Sequence, residues 1–372
     1  MTTLTEGTSF SGDARAWLEE SVPERWRVSR GALSEEEKIE IRSEWDRQLF
    51  VGGYAGLSIP KEYGGQGLGP REEVLFHELA ARAHAPEGIG RVGKILTVPA
   101  LIRHGSEAQK LKYIPGIMAG TQVWCQAFSE PGAGSDLASM STFARKVDGG
   151  YLVSGQKTWT SFAQYSERAI LVAKTSRTAP RHKNLSYFLL DMGQSGITFR
   201  TIRQISNTSH FAEVFLDDAF VADEDLVGEE GDGWKVAMTT LTAERGGVEA
   251  ITRYVDIHGD LDTLRNCCAK GTSEEAHGEA LDVRLELVRW QVLKALDFVD
   301  DDDEFFRRTC MLKVMWSEIW QEVTHVGVML SCRTHEEHWR NQYLETRAMS
   351  IYSGTNEIQR NIIGDRVLGL PR

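Results

Sequence analysis

The sequence predicts an α+β protein in three parts: an N-terminal α-helical domain over 1–120, a middle β-barrel-like domain over 121–230 and a C-terminal four-helix bundle over 231–372. Three observations carry that reading. Apolar residues recur at helical spacing towards both ends of the chain. Short β-rich runs separated by turn residues fill the middle, with no long helices between them, which disfavours a doubly wound parallel sheet. The closing stretch divides into segments of the length that helix bundles use. At 372 residues the chain can build two or three such layers or domains.

In the first part, Ser34 followed by Glu35, Glu36 and Glu37 reads as an N-cap and an acidic first turn, which the positive end of a helix dipole favours. The stretch from Ile59 to Pro70 interrupts the helices. Its glycines neither follow a strand nor match Gly-x-Gly-x-x-Gly, so a dinucleotide loop of that type is not expected. Helical patterns resume over 71–82, 92–104 and 106–118, the last capped by Ser106. In the middle part, Tyr151–Gly155, Ala169–Ala173, Tyr187–Leu190 and Val214–Leu216 read as antiparallel strands. Asp148-Gly149-Gly150, Gly193-Gln194-Ser195-Gly196 and Asp217-Asp218 supply the turns. The last part reads as helices over about 233–264, 277–300, 303–331, 334–349 and 355–367. The acidic run Asp300–Glu304 reads as an inter-helix turn and helix start rather than a metal site.

Composition narrows the function. Hydrophobic residues at 41% and charged residues at 26% are ordinary for a globular protein. A formal net charge of -12 argues against non-specific nucleic-acid binding, which needs a basic footprint. The five cysteines, Cys125, Cys267, Cys268, Cys310 and Cys332, are odd in number and lack metal-type spacing. They point to free thiols in a reducing compartment and to no zinc or other metal site. Met1 to Gly12 has no apolar core and reads as no secretory signal. No apolar run approaches the ~20 residues of a membrane span. A cytoplasmic protein without a membrane span is expected.

One carboxylate stands out. At steps of three and four, Ala237, Leu241, Glu244, Val248 and Ile251 share a helical stripe, so Glu244 occupies a core-like position. Burial raises a carboxyl pKa, and a carboxylate tuned upward suits a general base; neutralisation by a neighbouring Arg is the plainer alternative. A second signal runs from Trp124 to Asp136, where Pro131-Gly132-Ala133-Gly134-Ser135 leaves backbone N–H groups uncovered. Such a nest suits a pyrophosphate or a flavin edge, with Ser129 and Ser135 as hydroxyl donors, or it is a plain turn between strands. A third is Trp159-Thr160-Ser161, an indole followed by hydroxyls that can stack on a planar ring and hydrogen-bond its heteroatoms, or a structural Trp. Gly228–Trp234 reads as a linker, and Ser353-Gly354-Thr355-Asn356 as a turn that caps the last helix.

Taken jointly and in order, these motifs resemble the acyl-CoA dehydrogenase family: Ile59-Pro60 through Gly67, Ser129 through Asp136, Trp159-Thr160-Ser161, Glu213 through Asp218, Gly231-Asp232-Gly233-Trp234, and Ser353 through Arg360. The resemblance covers nearly the whole chain. It implies the same three-part fold, an FAD cofactor, and α,β-dehydrogenation of an acyl thioester. A carboxylate would take the α-proton while the β-hydrogen leaves as hydride to flavin N5. The resemblance places Trp159 and Ser161 beside the isoalloxazine and Ser129 against the flavin ring. It puts Gly134 and Ser135 on the pyrophosphate or acyl-CoA side, adds Phe128 and Thr355 to the cofactor site, and gives Ser135 and Arg245 to substrate. Many members carry the base in a Tyr-Glu-Gly-Thr motif, where this chain has Ser353. Others, similar to isovaleryl-CoA dehydrogenase, carry it in a Glu-Arg pair on the first bundle helix, which Glu244-Arg245 matches.

Two departures bear on assembly. The Arg-x-x-Phe-Gly and Gly-Gly-x-Gly elements that help hold the adenine half of FAD in homotetrameric members are not recognisable. Thr263–Lys270 and Val326–Arg333 stand in their places. Thr201-Ile202-Arg203-Gln204-Ile205 and the ending Arg366–Arg372 look like an actinobacterial branch with heteromeric members acting on bulky acyl-CoA substrates. A second acyl-CoA dehydrogenase-like subunit completing the FAD site is therefore expected, with a homo-oligomer as the other arrangement. The acyl carrier is CoA or a carrier protein, and an electron-transfer flavoprotein or similar acceptor is expected from the family. Gly246 and Gly247, just after the base, either leave room for a bulky or branched acyl group or mark close packing or a kink. Alternatives to dehydrogenation are a flavin monooxygenase or oxidase on the same fold, and a non-catalytic subunit of a heteromer.

Overall fold

The computed structural model describes residues 9–29, 33–244, 247–267, 271–330 and 336–371. The chain opens with α1 (Ser9–Ser21), α2 (Glu24–Ser29), α3 (Glu35–Val51) and α4 (Pro70–Arg82). A π-helical turn, Gly93–Thr97, runs into α5 (Val98–His104), and α6 (Glu107–Met118) follows. The strands are β1 (Trp124–Ala127), β2 (Phe143–Val147), β3 (Gly150–Ser161), β4 (Arg168–Lys174), β5 (Leu185–Asp191), β6 (Ile197–Ile202), β7 (Phe211–Ala222) and β8 (Leu226–Val227). Helices then return as α7 (Gly233–Glu244), α8 (Gly247–Cys267), α9 (Ser273–Ala295), α10 (Asp302–Thr309), α11 (Leu312–Met329), α12 (Glu336–Met349) and α13 (Asn356–Ile362). The helical, β and helical order is the one the sequence predicts.

Local chemistry explains several boundaries. The Ser34 hydroxyl accepts the Glu37 N–H at 3.2 Å, and the Glu37 carboxylate accepts the Ser34 N–H at 2.9 Å, a reciprocal cap at the start of α3. Ser106 and Gln109 make the same box before α6. Pro70 opens α4, where a missing N–H costs nothing. Asp301 accepts the Glu304 N–H at 3.0 Å and starts α10, as the acidic run suggested.

The described residues within Val22–Leu68 and Pro86–Glu244 form one compact unit, and those within Met1–Ser21, Gly69–Ala85 and Arg245–Arg372 form another. The first unit holds one sheet in the order β6-β7-β3-β2-β4-β5-β8, with β1 paired to β4. It is mixed rather than wholly antiparallel: β1 pairs in parallel with β4, and Phe143 of β2 bridges Lys174 of β4 in parallel. The β2–β3 hairpin turns the chain back so that β4 returns in the direction of β1. Strands β4 and β5 are buried on both faces, which is why they read as unbroken apolar runs. Ile170, Val172, Tyr187 and Leu189 face a core shared with Val98, Leu101, Val236 and Ala237 of α5 and α7. Leu171, Phe188 and Leu190 pack instead against Tyr151, Val153, Val214 and Leu216 of β3 and β7, the barrel-like side of the sheet.

The second unit packs α8, α9, α11 and α12 around Ile251, Tyr254, Leu285, Val288, Trp316, Ile319, Trp320 and Trp339. Val74 of α4 joins that core, and Phe76 of α4 meets Trp17 of α1 at 6.2 Å between ring centroids. Asp260 of α8 accepts the Trp320 indole N–H at 2.6 Å and lies 2.8 Å from His338 Nε2, tying three helices through one carboxylate. The segment expected over 303–331 is two helices, α10 and α11, broken at Cys310-Met311. The segment expected over 233–264 is also two helices, with residues 245 and 246 outside the described set. Among the described residues no helix is long and apolar enough to cross a membrane.

Candidate active site

Two of the three sequence signals meet in the sheet unit. The chain leaves β1 through buried Phe128, whose ring packs edge-on against Tyr187 at 5.8 Å. Glu130 and Ala133 close the following turn with reciprocal N–H to carbonyl bonds of 3.0 and 3.1 Å. A Cβ added at Gly132 or Gly134 would meet nothing within 4 Å, so this limb of the turn is open, and Gly134 and Ser135 are exposed. Asp136 pairs with Arg181 from the β4–β5 connection.

The other wall comes from the end of β3. The β3–β7 register shifts between Lys157 and Thr160. Within that bulge Trp159 adopts φ 58°, a left-handed conformation that is unfavourable for a bulky residue. The bulge leaves the indole 57% exposed, edge-on to Phe211 at 6.0 Å. Ser161 pairs with Phe211 two residues on. The Thr158 N–H donates to the Ser129 carbonyl at 2.9 Å. Phe128, Ser129, Trp159 and Ser161 are thus drawn into one locale, where an indole face, half-buried Ser129 and Ser161 and an open glycine limb fit a flat ring system with an anionic tail.

Beneath this surface lies a pair that the sequence reading does not single out. Lys157 is fully buried, and its ammonium donates to Glu130 at 2.9 Å and to the Phe128 carbonyl at 3.1 Å. Glu130 also accepts the Ser141 N–H at 2.5 Å, the Ser141 hydroxyl at 2.7 Å and the Thr142 N–H at 2.9 Å. Burial alone would raise its pKa, but the Lys157 charge and these donors outweigh it and hold the carboxyl well below the usual range. One signal was available: Tyr151, Val153 and Lys157 share inward parity along β3, which puts a cation where a core residue belongs.

Helix α7 leads to Glu244 from the same unit. Thr239 lies 2.8 Å from His104 Nε2 of α5, and Thr240, fully buried, lies 3.1 Å from the Tyr187 hydroxyl. Burial pushes the Tyr187 pKa up, so the phenol stays protonated. Burial, with Lys235 and Arg103 adding, pushes His104 down. The helix is therefore pinned one turn before its last residue, Glu244. The side chain of Glu244 and all of Arg245 and Gly246 lie outside the described residues. Gly247 is a packing position: a Cβ there would come within 3.3 Å of Val292 and 3.7 Å of Val74, so its small size serves close approach within the helical unit.

Thr355 belongs to the helical unit. Its hydroxyl accepts the Ile358 N–H at 3.2 Å and caps α13, as the turn reading expects. Buried Lys313 holds that turn, donating to the Gly354 carbonyl and to Asn356 Oδ1 at 2.9 Å each.

Comparison with known proteins agrees with this layout. The N-terminal, middle and C-terminal domain models of acyl-CoA dehydrogenases match residues 6–121, 125–219 and 231–368. The chain is 37% identical to "Acyl-CoA dehydrogenase IpdE1" of Mycolicibacterium smegmatis, over 99% of each. In fold it superposes on a structure described as "Tcur3481-Tcur3483 steroid ACAD" with a TM-score of 0.85 at 24% identity, covering 100% of both chains. It also superposes on one chain of the ChsE4-ChsE5 complex from Mycobacterium tuberculosis with a TM-score of 0.82 at 22% identity, covering 100% of this chain and 99% of that one. From its matched domains, its full-length relative and the order of its motifs, the chain belongs to the acyl-CoA dehydrogenase family.

Proposed function

We propose that this chain is an FAD-dependent oxidoreductase that introduces an α,β double bond into an acyl thioester, with Glu244 as the base. The observation that carries the reading is the junction of the Ser129 turn with the Trp159 bulge, in a chain whose whole length matches the family. FAD, when bound, supplies the acceptor for the β-hydride at its N5 position. The exposed Trp159 indole offers a stacking face, and Phe128, Ser129, Ser161 and Thr355 complete the proposed cofactor set. Gly134 and Ser135 would face the pyrophosphate or the acyl thioester, and Arg245 the substrate.

The chemistry assigned to the protein is proton removal. A thioester α-proton is too weakly acidic for a carboxylate in water, so donors to the carbonyl and exclusion of water must stabilise the enolate-like charge. Glu244 accepts the α-proton as the β-hydrogen leaves with its electron pair. The Thr239–His104 and Thr240–Tyr187 contacts would fix the helix end that presents it. Glu244→Gln is expected to abolish exchange of the substrate α-proton with solvent deuterium while FAD stays bound. Undiminished exchange would remove Glu244 from the role.

The natural boundaries proposed for the three domains are 1–120, 121–230 and 231–372. A second reading concerns assembly: a partner subunit resembling this one completes the FAD site, or this chain is the non-catalytic member of the pair. It is favoured by the missing adenine-side elements and by fold neighbours that include a complex of two named chains and a steroid enzyme. A bulky acyl-CoA, with a carrier-protein thioester as the alternative, an electron-transfer flavoprotein as acceptor and a cytoplasmic setting complete the proposal. A fully flavinated homo-oligomer that turns over would exclude the partner. Oxygen consumption with a hydroxylated product would favour a monooxygenase instead.

A further inference from the structure

The turn over 128–136 and the Trp159 bulge lie apart in sequence, and the bulge is strained by itself. The bulge holds a large residue at φ 58°, a left-handed conformation that is unfavourable for an L-residue and persists only where the surroundings fix it. The turn carries an open limb, where a Cβ added at Gly132 or Gly134 would meet nothing within 4 Å. What joins them is a small buried network. Lys157 stands at the start of the bulge, two residues before Trp159, and donates at 3.1 Å to the Phe128 carbonyl and at 2.9 Å to Glu130. The next residue, Thr158, donates its N–H to the Ser129 carbonyl. Glu130 in turn gathers Ser141 and Thr142, so two separate segments, β3 and residues 141–142, end on the carboxylate of the turn. Lys157 and Glu130 are both buried, and a buried ion pair is more often matched or bettered by apolar packing than needed for stability.

We propose that the Lys157–Glu130 pair is a positioning device for the cofactor site: it sets the orientation of the Trp159 indole relative to the Ser129 turn, so that the flavin ring meets a preformed wall. The inference rests on the flavin reading above, and it makes Lys157 and Glu130 positioning residues that act through Trp159 and Ser129. Because the network fixes the indole from the buried side, its effect is present before any ligand binds.

The test uses the full-length chain labelled with 5-fluorotryptophan, with the Trp159 ¹⁹F resonance assigned by its loss in Trp159→Phe. In Lys157→Met that resonance is expected to shift or broaden while the other tryptophans keep their positions. FAD affinity is expected to fall about tenfold, the upper end of what one aromatic stacking contact contributes. A cycle with Trp159→Phe should be non-additive, the double variant binding FAD no worse than Trp159→Phe alone. Should Lys157→Met fail to fold, Glu130→Gln gives the same readouts. A Trp159 resonance unmoved in either folded variant, or additive losses in the cycle, would overturn the proposal. If the wild-type chain takes up no FAD, the flavin reading for the isolated chain fails, and the ¹⁹F comparison still decides the positioning role.

Discussion

Lys157 and Glu130 form a 2.9 Å ion pair with both residues buried, and Lys157 stands two residues before the exposed Trp159. Removing one partner of such a pair costs about 3–5 kcal/mol, since the survivor is left as an uncompensated charge. The folded carboxyl is depressed, so its contribution is present above the unfolded value of about 4.3 and is lost as pH falls through the folded one. Glu130→Gln should therefore show its largest deficit in Tm near neutral pH, and the gap to wild type should close in acid. A gap independent of pH would contradict the assignment of a charged Glu130.

Trp159 should separate stability from binding. Its left-handed backbone suits glycine, so Trp159→Gly relieves strain while losing the edge contact to Phe211. These effects roughly offset, and Tm should stay within about 2 °C of wild type. FAD affinity should fall severalfold with the lost stacking face. A large loss of stability with unchanged affinity would make Trp159 a structural residue.

His104 gives a second pH signature. Burial and the Lys235 and Arg103 charges lower its pKa, so its stabilising contribution is complete above the unfolded value of about 6.5 and declines as pH falls through the folded value. Its partner Thr239 stands on the helix that ends at Glu244. His104→Gln should flatten the fall in stability between neutral and mildly acidic pH. An unchanged slope would show that His104 does not contribute it.

Gly327 is a close-approach point in the helical unit. A Cβ there would lie 2.3 Å from the Trp339 ring, between α11 and α12. Gly327→Ala should destabilise the protein by about 1–3 kcal/mol through overpacking, read as a lower Tm. A neutral result would mean that α12 can shift without loss.

The sequence was most legible where the causes are local. Ser34 and Ser106 cap helices through bonds spanning three residues, and the runs at Ala169–Ala173 and Tyr187–Leu190 are apolar because both faces of β4 and β5 are buried. Strands β2 and β6 are not legible in the sequence because Phe143–Val147 exposes Arg145 and Lys146 and Ile197–Ile202 is exposed from Thr198 to Thr201, so neither carries an apolar run. The parallel β1–β4 pairing depends on how the chain returns after the β2–β3 hairpin, which no local pattern encodes. In the site, the Trp159 and Ser129 motifs were visible as residue types. Their junction was not, because it depends on a bulge that places Trp at positive φ and on a Lys–Glu contact 27 residues apart. Glu244 stood out through its apolar stripe, which the structure divides between α7 and α8.

The most direct test of the account is anaerobic addition of a bulky acyl-CoA to the flavin-loaded protein, together with any subunit that co-purifies with it. The visible flavin band and the mass of the acyl product are followed together. The account predicts that the band bleaches as a thioester two hydrogens lighter appears, and that Glu244→Gln, still carrying its flavin, does neither. A bound flavin that the Glu244→Gln protein reduces at the wild-type rate, or a product that gains oxygen instead of losing hydrogen, would contradict it.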